Sequence, residues 1–279
     1  MEKIIAALDG LKYSESTQRY AIELTKKTNS HLVGVFMDDR TYNSFKIYEL
    51  IAEEGVSENR MKDLESKDEV ARKASADSFA KACMKAGVPF SIHHDRNIAL
   101  QELKHESIYA DLLVIDARET LMHYAEKPPT RFIRDLLGDV QCPVMLVPPK
   151  YKPVEKIVLL FDGEPSSVHA IKMFSYLMPG FKELPTDIIS VNPVNTTLHM
   201  KDNKLMKEFM MRHFPHAKYK VLKGLAEDEI VKYLKLQPGN ALVVLGAYRR
   251  TTISRWFRES MADILMKEVK LPLFIAHNK

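Results

Sequence analysis

Short uninterrupted apolar runs alternate along the chain with longer stretches whose apolar residues recur at helical spacing. The first run, Lys3–Leu8 (KIIAAL), ends in Asp9-Gly10 and is followed by Ser14 and Ser16, hydroxyl residues suited to a helix N-cap. A helical pattern then sets Tyr20, Ala21 and Leu24 on one side. The same order returns from Lys156 (KIVLLF): Asp162-Gly163, then Ser166-Ser167 as N-cap residues, then Val168, Ile171, Phe174 and Leu177 at close to helical spacing. The ends of the two halves also correspond. Asp111–Asp116 (DLLVID) resembles Ala241–Gly246 (ALVVLG), and Cys142–Val147 (CPVMLV) resembles Leu271–Ala276 (LPLFIA).

Continuous apolar strands alternating with helices imply a parallel sheet covered on both faces. Further strands are predicted over Leu32–Phe36, Pro89–His93, Asp187–Val191 and Lys218–Leu222, giving each half five strands. The expected fold is α/β: two tandem, doubly wound, five-stranded parallel-sheet domains with right-handed crossovers. Between them Pro148, Pro149 and Pro153 favour a stiff, extended linker, so the domains are expected at 1–149 and 154–279. The first half carries a long charged, mostly helical insertion, Thr41–Gly87, against a shorter counterpart at Asn195–Pro215. Phe45, Tyr48, Leu50 and Ile51 form one apolar face of the insertion, and Ala71, Ala74, Phe79 and Ala82 another. Two readings stand: a helical cap over the first half's own cleft, or a docking surface for a partner protein.

Composition narrows the class. Of 279 residues 46% are hydrophobic and 28% charged, as in a globular chain that buries a full core. The net charge of +4 falls short of a dedicated nucleic-acid binder, so nucleic acid is not an expected partner. Cys83 and Cys142 make no disulfide framework and are expected as small buried hydrophobes, which fits a cytoplasmic protein. No apolar run approaches the roughly 20 residues of a membrane span, and Met1–Gly10 reads as strand and turn rather than signal peptide. His93 and His94 are expected on opposite faces of a strand, and His213 and His216 on the surface; neither pair makes a metal site alone. No Walker loop, nucleophile elbow or paired carboxylates of defined spacing occur, so no catalytic residue is assigned.

Taken together, the strand-Asp-Gly openings and the closing strands resemble the universal stress protein family in its tandem form, over nearly the whole chain. The resemblance implies a five-stranded parallel α/β fold of the adenine nucleotide alpha hydrolase type in each half. It also implies pairing of the halves through their last strands, with Val144–Val147 beside Leu273–Ala276 as a pseudo-two-fold intramolecular dimer; two such chains could pair further. Nucleotide-binding members carry G-x2-G-x9-G-[S/T] after the fourth strand, whose glycines let backbone amides approach phosphates. In the second half Gly246 and Ser260 match, whereas Arg249 and Glu259 replace the middle glycines. In the first half the positions are Asp116, Glu119, Pro129 and Thr130, so only the hydroxyl is kept and a carboxylate stands where phosphate would sit.

The resemblance therefore implies ATP or another adenine nucleotide, or a small ligand, in the second half only. Its candidate residues are Asp162, Gly163, Val191, Leu245, Gly246, Arg249, Ser260 and Met261, with Asp9 and Thr130 as weaker first-half counterparts. The stretch 249–260 holds four arginines and four hydroxyl residues. It reads either as phosphate ligands or as a solvated loop with Trp256 and Phe257 anchored in the core. The expected function is a non-catalytic stress-response protein. The alternatives are a weak ATP-hydrolysing enzyme, or an adaptor binding acidic partners through Arg249–Arg258.

Overall fold

The computed structural model of the chain describes residues 1–38, 58–95, 98–195, 199–200, 202–246 and 260–277. The first half runs β1 (Lys3–Leu8), α1 (Glu15–Thr28), β2 (His31–Met37), α2 (Glu58–Ala86), β3 (Phe90–Asp95), α3 (Ala99–Glu106), β4 (Leu112–Asp116), α4 (Arg131–Leu137) and β5 (Val144–Val147). The second half runs β6 (Lys156–Leu160), α5 (Pro165–Leu177), β7 (Thr186–Asn192), α6 (Asn203–His213), β8 (Lys218–Lys223), α7 (Ala226–Lys235), β9 (Ala241–Gly246), α8 (Met261–Glu268) and β10 (Leu273–Ala276). The outer strands β2, β3, β7 and β8 extend a residue or two beyond the apolar runs that predict them.

The ten strands among the described residues join in one sheet of order β3-β2-β1-β4-β5-β10-β9-β6-β7-β8. Within each half every pairing is parallel. The halves meet at a single antiparallel seam, where Leu273, Phe274 and Ile275 face Leu146, Met145 and Val144. Each half has the same strand order counted outward from that seam, as a pseudo-two-fold requires. The structure thus shows tandem doubly wound α/β halves, fused into a continuous sheet through the two closing strands.

The sheet is apolar on both faces because it is covered on both. Ile4, Ala6 and Leu8 point to a layer containing residues of α1, α2, α5 and α6, while Ile5 and Ala7 point to a layer containing residues of α3, α4, α7 and α8. Each layer crosses the seam, so the two halves share their cores. Phe174 of α5 and Phe274 of β10 meet edge to face, with centroids 5.2 Å apart. At the amino-terminal edge of the second half, Asp187 is buried but accepts from Lys156 Nζ (2.6 Å), Lys220 Nζ (2.9 Å) and the Tyr233 hydroxyl. Burial raises its pKa, and the three donors outweigh that effect, leaving the carboxyl at about 2. The cluster ties β6, β7, β8 and α7 together at the end opposite their cleft.

Local signals hold with two corrections. Ser14 caps α1, accepting from the Thr17 amide, as its position predicts. Ser166 and Ser167 do not cap α5. Glu164 is its N-cap residue and Pro165 occupies the first turn, a position where the missing N–H costs nothing, so the serines lie buried inside the helix. The second correction concerns α2. Ala71 and Ala74 are exposed, and the buried line runs instead through Ala76, Phe79 and Cys83. This line packs on β2 and β3, so α2 covers the outer sheet face, and Arg72 and Ser75 reach the cleft edge at Asp38 and the Gly10 carbonyl. Phe45, Tyr48, Leu50 and Ile51 lie outside the described residues. Both cysteines are buried thiols. No helix among the described residues is long and apolar enough to cross a membrane.

The shared core makes the seam a structural joint for both halves. Phe274→Ala is expected to destabilise the whole chain by about 3–5 kcal/mol through the cavity it leaves, measured by the urea midpoint.

Candidate functional site

Doubly wound sheets open a crevice beyond the carboxyl ends of their strands where the chain order reverses. In the second half this point lies between β6 and β9. The connections through α5 and α6 run over one face from β6 outward, and those through α7 and α8 return over the other. A cavity of about 200 Å³ sits there. The end of β6 contributes Leu160, Phe161 and Asp162; β7 contributes Ile189 and Val191; β9 contributes Leu245 and Gly246. Ser167, Ala226, Ile230 and Met261 close it from the first turns of α5, α7 and α8. The walls are largely apolar, with the Asp162 carboxylate and Ser167 hydroxyl as polar groups at one end. That combination suits a flat, apolar ring system carrying a few hydrogen-bonding groups.

Five of the sequence-derived residues therefore line one cavity: Asp162, Val191, Leu245, Gly246 and Met261. Asp162 is exposed, and its Oδ1 accepts from the Glu164 amide at 2.9 Å, fixing the turn through Gly163 (φ +82°). Ser260 stands beside the cavity as the N-cap of α8. Its Oγ accepts from the Asp263 amide at 3.1 Å, and the Asp263 carboxylate accepts from the Ser260 amide in return. Arg249, Glu259, Trp256, Phe257 and the rest of the basic stretch lie outside the described residues.

Gly246 has a packing role that its motif position did not announce. A methyl group there would lie 2.4 Å from the carbonyl carbon and oxygen of Ser166. The start of α5 presses against the end of β9, and only a residue without a side chain permits it.

The equivalent first-half crevice holds three buried carboxyl groups. Asp9, Asp116 and Glu119, at the ends of β1 and β4, are 1%, 6% and 8% exposed. Asp9 Oδ1 accepts from the Leu11 amide (2.7 Å), the counterpart of the Asp162 turn. Asp116 accepts from the Arg118 amide, from its guanidinium and from the Ser14 hydroxyl. Glu119 Oε1 accepts from the amides of Thr120 and Leu121, both at 2.9 Å, and Leu121 takes a left-handed φ of +49° to allow it. Thr130 is buried and committed: its hydroxyl donates to the Glu119 carbonyl (2.5 Å) and accepts from the Ile133 amide to cap α4. Burial, then the neighbouring Asp9 and Asp116 charges, push the Glu119 carboxyl up to about 7 against the pull of its two amide donors.

Sequence reasoning missed Glu119 as cleft filling, and Leu160, Phe161, Ser167, Ile189, Ala226 and Ile230 as cavity lining. Spacing held some of the signal: Ile189 and Val191 share a strand face, and Ala226 and Ile230 share a helix face. The histidines go elsewhere. His93 pairs with Glu106 (2.6 Å) and His94 with Asp38 (2.8 Å), on opposite faces of β3. His213, expected on the surface, is half-buried against Phe209 and bonds to Ser175, because α6 packs it onto α5. Among the described residues no group of three or more such side chains could hold a metal ion.

These features define a duplicated, doubly wound α/β protein with an apolar cavity in its second crevice and three buried carboxyl groups in its first. No protein-family model matches the chain, and no curated protein sequence does. Solved structures do match. A universal stress protein from Archaeoglobus fulgidus DSM 4304 is similar over 99% of this chain and 96% of its own, with TM-score 0.69 and 12% identity. A functionally unknown protein from Pseudomonas aeruginosa PAO1 is similar over 99% and 92%, with TM-score 0.63 and 13% identity. A protein from Pseudomonas aeruginosa UCBPP-PA14, provisionally described as a universal stress protein, is similar over 99% and 93%, again with TM-score 0.63 and 13% identity. The chain accordingly carries the tandem universal stress protein fold.

The raised Glu119 pKa has a definite sign for stability. A carboxyl at about 7 when folded and 4.5 otherwise contributes stability fully present below 4.5 and lost as pH rises through 7. Thermal melting from pH 4 to 8 is expected to show the Glu119→Gln variant gaining on the parent across that window. Parallel curves would refute the assignment.

Proposed function

We propose that the chain is a non-catalytic member of the universal stress protein class that binds an adenine nucleotide, ATP or a shorter relative, in its second half alone. The observation that carries this reading is the contrast between crevices. The switch point of the second half holds an apolar cavity with Asp162 at its polar end, and that of the first half holds Asp9, Asp116 and Glu119. The units are 1–149 and 154–279, the former serving structure or an unknown protein partner. The buried thiols of Cys83 and Cys142 accord with a reducing, cytoplasmic setting.

In this reading the base lies between Val191, Leu245 and Met261, and Asp162 accepts from the ribose or base. Gly163 and Gly246 shape the two turns that frame the ligand. Ser260 and Arg249 stand toward the phosphates, Arg249 by motif position. Asp9 and Thr130, the first-half counterparts, hold protein instead.

Titration calorimetry with ATP, ADP, AMP and adenosine tests the reading. At least one is expected to bind saturably; Asp162→Ala weakens it about tenfold, as loss of a charged hydrogen-bond partner does. Val191→Trp, which fills the cavity, abolishes it with the melting temperature unchanged. Gly246 is unsuitable as a probe, because any side chain there strikes Ser166. Absence of binding by all four compounds, or binding indifferent to both variants, overturns the proposal. Phosphate release with Mg²⁺ or Mn²⁺ above a buffer blank overturns its non-catalytic part.

A further inference from the structure

The segment joining the halves is a pinned wall rather than a loose tether. Ser16 Oγ donates to the Pro148 carbonyl at 2.6 Å, and the Lys152 amide donates to the Tyr20 hydroxyl at 3.4 Å. Asn240 Nδ2 donates to both the Tyr20 hydroxyl (3.1 Å) and the Lys152 carbonyl (2.8 Å). Together with α1, β5 and the short turn Pro179–Phe181, this segment encloses a cavity of about 130 Å³ that opens on one side. Its linker residues precede β6, whereas the Asp162 crevice lies at the carboxyl end of that strand, and the two share no lining residue.

The floor consists of Tyr20, Leu24, Met145 and Phe181, none more than 3% exposed. Tyr151 and Val154 of the linker form the facing wall, with Tyr151 edge-on to Tyr20 at 4.8 Å between centroids. An apolar cavity of roughly 150 Å³ holds one benzene-sized ring. Rings in the walls favour an aromatic guest, because edge-to-face contacts add to burial. Glu23 and Lys27 are the charged residues of the lining, and Arg19, one turn earlier on α1, brings the three to one net positive charge. Lys27 lies over Phe181 at 5.4 Å, and Arg19 over Tyr151 at 4.4 Å, so both cations are already held beside the opening.

We propose that this seam cavity is a binding site for a small single-ring aromatic carboxylate, its ring among Tyr20, Tyr151 and Phe181 and its carboxylate at Lys27. The wall requires the linker, which occurs once, so the pseudo-two-fold produces no second copy. Occupancy joins α1 of the first half to the entry of the second, which makes the ligand a fastener of the seam.

Fluorine NMR of para-fluorobenzoate with the full chain tests this. Saturable binding with a millimolar dissociation constant is expected for so few atoms. The neutral para-fluorobenzyl alcohol and cationic para-fluorobenzylamine are expected to bind more weakly. Lys27→Glu weakens the benzoate about fivefold, the scale of one exposed ion pair, and Val154→Trp removes binding by filling the space. Equal binding of the amine, or no saturation by the benzoate, overturns the proposal. Backbone-amide shifts give a readout independent of whether Val154→Trp folds: they are expected to centre on residues 151–154 and α1. Shifts centred on the Asp162 crevice overturn it without touching the nucleotide reading.

Discussion

Two parallel five-stranded sheets, left separate, would each expose the edge of a short closing strand. Here the antiparallel pairing of β5 with β10 removes both edges at once, and every residue of Val144–Val147 and Leu273–Ala276 is buried as a result. A strand that meets its own structural copy across a two-fold axis must run antiparallel to it, so the duplication dictates the seam's geometry. The seam also sets where chemistry can occur. Strands of the two halves point in opposite directions, so the two crevices open at opposite ends of the sheet. The Asp187 cluster braces the amino-terminal edge of the second half, away from its crevice. A change in one crevice therefore has no direct contact through which to disturb the other.

That independence explains how one plan carries two contents. Asp9 and Asp162 occupy the same turn and accept from the same relative amide, two residues onward, yet one is buried and the other exposed. The difference follows from the end of the fourth strand of each half. At Gly246 the start of α5 closes onto the strand and leaves the neighbouring space to an apolar cavity. At Asp116 a carboxylate occupies the crevice, draws in Arg118 and Ser14, and is joined by Glu119. Three carboxylates in one buried place repel, and the one with most to gain takes a proton near neutrality. An additional phosphate in that crevice would meet the same repulsion.

Much of this was legible from residues alone, because it rests on periodicity. The strands and their parallel grouping follow from apolar runs that recur in order, whereas the meeting of the closing strands was implied by the family resemblance. What periodicity does not encode is which side of a helix a distant element will cover. Ala71 and Ala74 look as apolar as Ala76, but β2 and β3 lie under Ala76 and Phe79. Ser166 and Ser167 look like caps, but Pro165 starts α5 earlier and puts both serines against the sheet. Glu119 was visible only as a missing glycine; that its side chain turns inward depends on two loop amides and a left-handed Leu121. Of the candidate site, Asp162, Val191, Leu245, Gly246 and Met261 were named from the motif positions, whereas Ser167, Ala226 and Ile230 depend on how their helices dock.

The motif positions illustrate why a local pattern is ambiguous about ligands. Thr130 and Ser260 are the hydroxyls kept in both halves, and both cap the helix that follows, each accepting from the amide three residues on. A cap contributes about 1 kcal/mol to any helix, whether or not a ligand lies in front of it. Gly246 is likewise required by Ser166 before any phosphate is considered. Retention of these residues is therefore explained by packing in both halves. What distinguishes the two crevices is what stands beside the aspartate after the first strand: apolar cavity lining beside Asp162, and buried carboxyl groups beside Asp9. Empty volume of the right polarity, rather than survival of motif letters, is the physical ground on which the proposal of a second-half ligand rests.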